Sequence, residues 1–484
     1  VGYGALAAQN FTGNQDSFNT ALGYTAGAAI TTGIHNTLIG GLTGDAITTG
    51  SYNVATGSGA LGTNILGSSS VAMGHSALAT QNYGSATTAL NTAVGHEAGA
   101  AVTTGVNNTL IGGLAGTAIT TGHDNTAVGP FAGYVLTTGT HNTLIGAYAG
   151  TAVTSAIRNT FVGYAAGDAN TTGNNNTAIG YDALGANTTG AGNTAVGRNA
   201  GLSVTTGTRN ILIGGSAGAA LTDADDNVAI GNTALFTDVL GSRSVAVGKS
   251  ALAIQNPSSA TDMYNVGIGY QAGVAITTGT LNTLIGGDSG DAITTGASNT
   301  FVGKGSGGST TTADNNTGVG RDALFTNTTG TLNTAVGAAA MYYNTTGSNN
   351  TAVGKSALDA NTTGELNTAI GFQAMKDNTT GDRNVALGYG ALQDMNVTDG
   401  SHTFNTAVGF AAGENTSTGT LNTFIGANAG NLNQTGIGNV AIGYTALTAN
   451  TTANYNVAVG RLALAANTTG NENTAVGNGA LSTN

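Results

Sequence analysis

Histidine and aspartate are the residues of this chain that could bind a metal ion. The six histidines lie in variable positions around turns: His35, His75, His96, His123, His141 and His402. Metal ligation requires several such side chains to converge, and only His75 and His96 share a position on consecutive repeats. The spacing of Asp223, Asp225 and Asp226 does not match an EF-hand loop. We expect a solvated acidic turn there, and we predict no metal site and no cofactor.

Motifs for nucleophilic catalysis or phosphate binding are the other chemistry to consider. Segment 305–308 reads Gly-Ser-Gly-Gly, but the Lys-Ser/Thr pair of a phosphate-binding loop does not follow it. Ser, His and Asp occur without any spacing that singles out a triad. Asn-Thr-Thr sequons recur, for example at Asn187, Asn361 and Asn467, and packing of the Asn side chains explains them without glycans. We predict that the protein is not an enzyme.

These residues all lie within a repeat of 17 residues that runs along the chain. The segment Asn-Thr-Ala-Val-Gly recurs on an anchoring Asn or Ser from Asn19 to Asn473, at twenty-three intervals of 17 residues and three of 21. A fixed period of this length predicts one solenoid coil per repeat. We expect an all-β, parallel β-solenoid of about 28 coils, with residues 1–484 as one continuous domain and a segment of a longer protein. The longer coils lie near residues 1–18, 70–90, 244–264 and 384–404.

Composition and charge exclude several classes of partner. Charged residues make up 7% of the chain and the net charge is −12, so we expect no nucleic-acid partner. No run of 18 apolar residues occurs, so we expect no membrane insertion. The absence of Cys is compatible with an extracellular location.

Each repeat contains one short strand, such as Thr194-Ala195-Val196. Side chains alternate along a strand, and we expect Thr194 and Val196 to face the interior of the coil and Ala195 to face outward. The Ala position holds Ala, Leu, Phe or Gly throughout the chain, so both faces of the strand are apolar. Such a strand is normally covered on both faces. The stacked anchors predict a ladder of side-chain hydrogen bonds along the coil axis, which includes Asn19, Asn36, Asn108, Asn193, Asn350 and Asn473.

Two further positions vary together, which indicates that their side chains share one volume. Four residues after the strand glycine the chain has Gly or Leu/Met, and three residues later it has Ile/Val/Leu or Asn. Gly27 thus accompanies Ile30, and Leu184 accompanies Asn187. Eighteen of the twenty-three regular coils follow this rule. The exceptions, which we expect to be the least stable coils, begin at Asn159, Asn227, Asn299, Asn405 and Asn422.

The extra residues of the longer coils are candidates for recognition. They are expected to project from the surface, and aromatic residues with amide neighbours suit sugars. The candidate glycan or receptor contacts are Phe11, Tyr83, Tyr264 and Phe404. The alternative is that these loops fold back to cover an edge or adjust the coil twist, although loops on rigid scaffolds often carry function.

Pairs of Thr also repeat along one wall of the solenoid. Regular Thr arrays on β-solenoids can bind ice, but adjacent residues point to opposite faces, which disfavours this function here. Examples of these pairs begin at Thr103, Thr120, Thr137, Thr205, Thr277 and Thr294.

Some of the repeats resemble those of known protein families. Segments 70–79 (Ser-Val-Ala-Met-Gly-His-Ser-Ala-Leu-Ala) and 244–253 (Ser-Val-Ala-Val-Gly-Lys-Ser-Ala-Leu-Ala) resemble the head repeats of trimeric autotransporter adhesins. The fuller form, which adds Asn-Thr-Thr-Gly, is similar to repeats of phage tail-fibre proteins. The resemblance implies a parallel β-roll in which three chains pack around one axis. The period here is longer than in the adhesins.

These expectations favour a homotrimeric structural and adhesive fibre outside the cell, without catalysis. A virion tail fibre or appendage for host attachment is the leading interpretation, with cell-surface glycan as a possible partner. A bacterial surface adhesin or self-assembling extracellular filament is the first alternative. A monomeric ice- or polysaccharide-binding solenoid and a polysaccharide-cleaving tail enzyme are the others.

Overall fold

The computed structural model describes residues 2–11 and 16–483 as parallel strands and turns, without a helix. It divides into two units, residues 1–242 and 243–484, and each is a parallel β-solenoid with about 17 residues per turn. The all-β, solenoid prediction is confirmed. Positions in a coil are numbered here from the anchor, position 0, so that the strand occupies positions 1–3. Strands of successive coils pair in parallel and in register, for example Ala178 with Ala195.

The first unit has one strand per coil and three short additional strands, β4, β6 and β16, of which β4 and β6 pair with each other. Its strands are β1 Thr20–Leu22, β2 Thr37–Ile39, β3 Val54–Thr56, β4 Gly67–Ser68, β5 Val71–Met73, β6 Thr87–Thr88, β7 Thr92–Val94, β8 Thr109–Ile111, β9 Thr126–Val128, β10 Thr143–Ile145, β11 Thr160–Val162, β12 Thr177–Ile179, β13 Thr194–Val196, β14 Ile211–Ile213, β15 Val228–Ile230 and β16 Gly241–Ser242.

The second unit also has one strand per coil, with a single short additional strand, β18. Its strands are β17 Val245–Val247, β18 Thr261–Asp262, β19 Val266–Ile268, β20 Thr283–Ile285, β21 Thr300–Val302, β22 Thr317–Val319, β23 Thr334–Val336, β24 Thr351–Val353, β25 Thr368–Ile370, β26 Val385–Leu387, β27 Thr406–Val408, β28 Thr423–Ile425, β29 Val440–Ile442, β30 Val457–Val459 and β31 Thr474–Val476.

The strand faces are the reverse of those predicted. Ala195, at position 2, is fully buried, whereas Thr194 and Val196 are only partly buried. The same holds for β10, where Leu144 is buried and Ile145 is 38% exposed. The interior of a 17-residue coil is narrow, and the side chain of position 2 occupies it. The β-branched residues of positions 1 and 3 form the outer face.

Tight corners depend on left-handed backbone at fixed positions. In the coil that begins at Asn176, Asp182 and Leu184 have φ values of 50° and 51°, and Gly180 has a φ of 138°. A Cβ atom at Gly180 would lie 2.5 Å from the carbonyl oxygen of Gly197 in the next coil. Position 4 therefore requires glycine both for its φ and for its close approach to the neighbouring backbone.

The anchors form the predicted ladder, with a more complete set of bonds than predicted. The side chain of Asn350 donates from Nδ2 to Oδ1 of Asn333 at 3.2 Å and to the carbonyl of Gly364 at 2.8 Å. Its backbone N–H donates to Oδ1 of Asn333 at 3.0 Å. Each Asn side chain thus forms hydrogen bonds with the preceding coil and with its own coil, so the buried amide group has hydrogen-bond partners. Bonds of this ladder include Asn19, Asn36, Asn108, Asn193, Asn350 and Asn473.

Two anchors are Ser, and a glutamine restores the ladder beside each of them. Nε2 of Gln81 donates to Oγ of Ser70 at 3.0 Å, and Oε1 of Gln81 accepts from Nδ2 of Asn91 at 2.9 Å. Gln255 donates to Ser244 in the same way, at 2.9 Å. The longer glutamine side chain fills the place of the missing amide. Sequence reasoning overlooked this pairing.

The shared interior volume is confirmed. A Cβ atom at Gly44 would lie 2.8 Å from Cδ1 of Ile47 and 3.0 Å from Cδ2 of Leu38, so a large side chain at position 11 requires glycine at position 8. Where position 8 is Leu, as in Leu184, position 11 is the small Asn187, which donates to Oδ1 of Asn170 at 2.7 Å. Asn residues at position 11 therefore form a second buried ladder, and Asn187 and Asn361 of the sequons belong to it.

The five exceptional coils are filled in other ways, so the basis for expecting them to be loose was wrong. Three of them carry a fully buried Phe at position 2, namely Phe161, Phe301 and Phe424. The coil that begins at Asn405 has Gly413, where a Cβ atom would lie 2.5 Å from a ring carbon of Phe424 in the next coil. In the fifth, Asp238 replaces the usual Asn and accepts the N–H of Gly241 at 2.7 Å.

Candidate functional site

Surface side chains of this fold come together in columns along the coil axis. Because the coils are in register, a residue and its counterpart 17 positions later lie about 4.8 Å apart. The interior is filled, so residues that could bind a ligand lie on these outer columns. These outer columns include aromatic, histidine and threonine side chains.

The longest aromatic row lies in the first unit. The rings of Phe131 and Tyr148 stack at a centroid distance of 5.3 Å, and those of Tyr164 and Tyr181 stack at the same distance. Tyr148 meets Tyr164 edge to face at 5.7 Å and joins the two pairs. The rings of Tyr164 and Tyr181 are about half exposed. Four successive coils thus present one nearly continuous aromatic surface.

An open groove lies beside this row and contains two carboxylates. It is lined by Tyr148, Tyr164 and Tyr181 together with Thr151, Ala165, Asp168 and Asp182. Burial raises the pKa of Asp168, and the charge of Asp182 raises it further. Aromatic faces pack against apolar faces of ligands while their edges remain polar, and ionised carboxylates accept hydrogen bonds from hydroxyl groups. The groove therefore matches the mixed character of a sugar ring.

Sequence reasoning overlooked this row, although the sequence carries a signal for it. Positions 131, 148, 164 and 181 are aromatic and separated by 17, 16 and 17 residues. The interval of 16 marks a step from position 6 to position 5 of the coil. Aromatic residues that recur at the coil period must stack, whatever their chemical role.

A shorter aromatic row lies in the second unit. Phe372 stacks on Tyr389 at 5.2 Å, and Tyr389 stacks on Phe410 at 5.1 Å. Nζ of Lys355 lies 5.9 Å from the centre of the Phe372 ring. This row has a cation at one end, whereas the first row has carboxylates beside it.

The predicted contact residues of the longer coils are separate from these rows. Tyr83 is buried, donates to the carbonyl of Gly105 at 2.8 Å and accepts from Asn91. Burial raises the pKa of Tyr83 to about 12. It has a structural role and cannot offer its ring to a ligand, so the glycan-contact hypothesis is wrong at this residue.

Tyr264 and Phe404 are about half exposed, as the hypothesis requires. Each ring lies under an arginine of the preceding coil, Arg243 or Arg383, at 5.8 Å from the ring centre. Phe11 is partly buried, and the adjoining residues 12–15 of that longer coil lie outside the described residues. The structure does not bring the four candidates together.

The extra residues of the other longer coils do project, since most of residues 84–88, 258–262 and 398–402 are exposed. The neighbouring buried residues Ala89 and Met263 return the chain to the core. The loops therefore keep the register of the solenoid and add a small exposed tip.

The Thr pairs use their two hydroxyls differently. Oγ1 of Thr103 donates to the carbonyl of Thr120 at 3.0 Å, and Oγ1 of Thr137 donates to that of Thr154 at 3.1 Å. The second Thr of each pair, such as Thr104, is exposed. Only one column of hydroxyls thus faces solvent, in agreement with the expectation that disfavoured ice binding.

The acidic turn near residue 225 is held by hydrogen bonds and an ion pair. Oδ1 of Asp225 accepts from the backbone N–H of Thr208 at 2.6 Å, and Asp226 pairs with Arg209, also at 2.6 Å. These carboxylates serve different partners in the neighbouring coil. The glycines of segment 305–308 likewise serve packing, because Gly307 lies against the ring of Phe301.

Two groups of histidines are brought together. His75 and His96 stack with ring centres 5.4 Å apart and nearly parallel planes, beside Glu97. His123 and His141 meet nearly at right angles around Asp124. Hydrogen bonds from His123 and Asn107 hold the pKa of Asp124 below its usual value of 3.8.

The comparisons with known proteins add no identity. No family model matches the chain, and no curated protein matches it significantly. Among the described residues, no helix is long and apolar enough to cross a membrane.

Proposed function

We propose that this protein is a homotrimeric structural and adhesive fibre that acts outside the cell and binds glycans without catalysis. The main support for the proposal is the exposed apolar character of the outer face of the strands. Ile111 and Ile145, at position 3 of two first-unit coils, are each 38% exposed, and Val, Ile or Leu recurs at this position. A long apolar column is normally covered in a soluble protein, and two further copies of the chain supply a matching cover.

The strand face that is available for a trimer interface differs from the one predicted. The Ala, Leu and Phe side chains of position 2 fill the coil's own core, and the Thr and Val/Ile side chains of positions 1 and 3 remain for an interface. Within each unit the in-register ladders of Asn and Thr give the coils repeated hydrogen bonding along the axis, which suits a shaft that bears load.

Solution mass tests the trimer. Light scattering on the intact chain should give about three times 46.9 kDa. Ile145→Lys places a charge in the apolar column and should favour dissociation, whereas Thr138→Lys, at an exposed position of the Thr wall, should leave the mass unchanged. A stable wild-type monomer would contradict the trimer and favour the monomeric polysaccharide-binding solenoid.

The adhesive part of the proposal rests on the groove beside Tyr164 and Tyr181. A glycan array should detect binding by the wild type, and Tyr164→Ala or Tyr181→Ala should weaken it by at least about tenfold, as for truncation of a buried aromatic contact. Tyr444→Ala is the matched control, because Tyr444 is an exposed tyrosine at the same coil position in the second unit. Equal loss in all three variants would argue against the groove.

We propose that the fibre belongs to a virion, as a tail fibre or appendage for host attachment, with a bacterial surface adhesin or extracellular filament as the alternative. Both settings use the same trimeric, glycan-binding solenoid.

A second candidate function is cleavage of a polysaccharide in the same groove. It is favoured by the presence of the Asp168 and Asp182 carboxyl groups in one groove, because a pair of carboxyl groups can act together on a glycosidic bond. Incubation of the bound glycan with the protein should then release shorter fragments. Asp168→Asn should abolish release while it retains binding, and an intact glycan after prolonged incubation would exclude this function.

A further inference from the structure

We propose that His123, Asp124 and His141 form a binding site for a zinc ion on the surface of the first unit. One ligand atom from each of the three side chains lies within 4.8 Å of the other two. Imidazole nitrogen and carboxylate oxygen are ligands that zinc prefers in proteins, and three protein ligands leave the fourth coordination position for water.

The distances between donor atoms suit one ion. Nδ1 of His123 lies 2.7 Å from Oδ2 of Asp124, and Nε2 of His141 lies 3.7 Å from the same oxygen. Tetrahedral zinc with bonds of about 2.0–2.1 Å places its ligands about 3.3 Å apart. The two distances lie on either side of this value, so small side-chain rotations bring all three atoms into the coordination sphere.

The orientation of the rings distinguishes this cluster from the other histidine pair. The planes of His123 and His141 meet at 78°, so nitrogen lone pairs, which lie in the ring planes, can converge on one point. The rings of His75 and His96 are stacked at 13°, and their in-plane lone pairs run side by side. His75 and His96 therefore serve as an internal control rather than as a second site.

Neighbouring residues hold the ligands in place. Nδ1 of His141 lies 3.0 Å from Oγ1 of Thr140, which leaves Nε2 facing Asp124. Oδ1 of Asp124 accepts from Nδ2 of Asn107 at 3.0 Å, which leaves Oδ2 for the ion. Partners of this kind orient metal ligands and typically change metal affinity by about 10- to 100-fold.

The backbone fixes the spacing between the two coils. Asp124 and His141 occupy position 16 of successive coils with φ values of 57° and 59°. The N–H of His141 donates to the carbonyl of His123 at 3.2 Å. Because both residues repeat one backbone conformation in an in-register stack, the backbone of the site is in place before the ion arrives.

Titration calorimetry of the intact protein with zinc chloride tests the site. The wild type should bind one ion per chain here, and His141→Asn should lower the affinity by more than about tenfold. Asn is a safe replacement, because Asn175 and Asn349 occupy position 16 elsewhere with φ values of 58° and 60°. His75→Asn should leave the affinity unchanged.

A spectroscopic measurement identifies the ligands independently of affinity. Cobalt(II) chloride added to the wild type should give the visible absorption of a four-coordinate ion with nitrogen ligands, and His123→Thr should remove it. Thr occupies position 15 in the next coil as Thr140, so this variant should fold. Absence of zinc binding, or equal binding by the wild type and His141→Asn, would overturn the proposal. Equal loss in the His75 variant would overturn it as well.

Discussion

The exchange of Phe161 and Gly167 for the residues of a neighbouring coil tests how the core is filled. Phe161 is fully buried, and a Cβ atom at Gly167 would lie 2.5 Å from its ring carbon Cε2. The next coil has Ala178 and Leu184 in the same two positions. The double variant Phe161→Ala/Gly167→Leu therefore gives one coil the core of the other, with Asn at position 11 in both.

The expected energies follow from these contacts. Phe161→Ala alone should destabilise the coil by about 3–5 kcal/mol, because removal of the ring leaves a closed cavity in the core. Gly167→Leu alone overpacks the ring, which costs about 1–3 kcal/mol, and places Leu at a φ of 57°, which costs about 1–2 kcal/mol more. In the double variant two costs remain: the strain of Leu in the left-handed backbone conformation, and a small difference in side-chain volume. It should be about 2–3 kcal/mol more stable than Phe161→Ala.

Hydrogen exchange measured by mass spectrometry is the suitable assay, because it reports local opening free energies in a chain that need not unfold in one step. Peptides that cover residues 159–176 should lose protection in each single variant and regain it in the double variant. Thr172→Ala, at an exposed position of the same coil, is the control. If the double variant were no better protected than Phe161→Ala, the two positions would not share a volume.

Three further perturbations probe the ladder, the corner and the groove. Gln81→Leu removes the donor to Oγ of Ser70 and one of the acceptors of Nδ2 of Asn91 in a buried site and should cost about 1–3 kcal/mol; local hydrogen exchange should show this, and unchanged protection would count against the ladder. Gly180→Ala forces a Cβ atom to 2.5 Å from the carbonyl oxygen of Gly197 and should lower the thermal midpoint more than Ala at an exposed position. The pKa of Asp168 is raised in the folded state, so its ionised form destabilises the fold, fully above the raised pKa and not at all below the usual 3.8. Asp168→Asn should therefore be more stable than the wild type at pH 7, and the difference in thermal midpoint should vanish as the pH falls; a constant difference would contradict the shift.

The sequence predicted the architecture well because the solenoid follows from its period. The 17-residue interval predicted the coil, and the Asn anchors predicted the ladder that the structure contains. The joint variation of positions 8 and 11 predicted a shared interior volume. Each of these predictions depends on contacts within one coil or between equivalent residues of adjacent coils.

The strand faces were predicted wrongly because the β-branched side chains were taken as the core. Position 2 holds Ala in most coils, and its occasional Phe161 or Leu144 is accompanied by glycine at position 8. That accompaniment indicates an interior position, since a surface side chain would not constrain a residue six places away. The same error explains the five coils that did not follow the rule for positions 8 and 11. The side chain of position 2 shares their interior volume, and the rule did not include it.

The proposed binding sites were harder to predict because they lie in the variable positions, where one coil alone shows no pattern. Tyr148 and Tyr164 become neighbours only through the coil period, and the same period places His141 beside Asp124. Residues separated by 17 stack in one column, and residues separated by 16 or 18 lie diagonally across adjacent columns. The groove and the histidine cluster both combine a vertical and a diagonal neighbour, so a short site of mixed chemistry can arise wherever two coils differ from the repeat. A uniform core therefore tolerates local variation, since substitutions in the outer columns leave the Asn ladder and the interior volume unchanged.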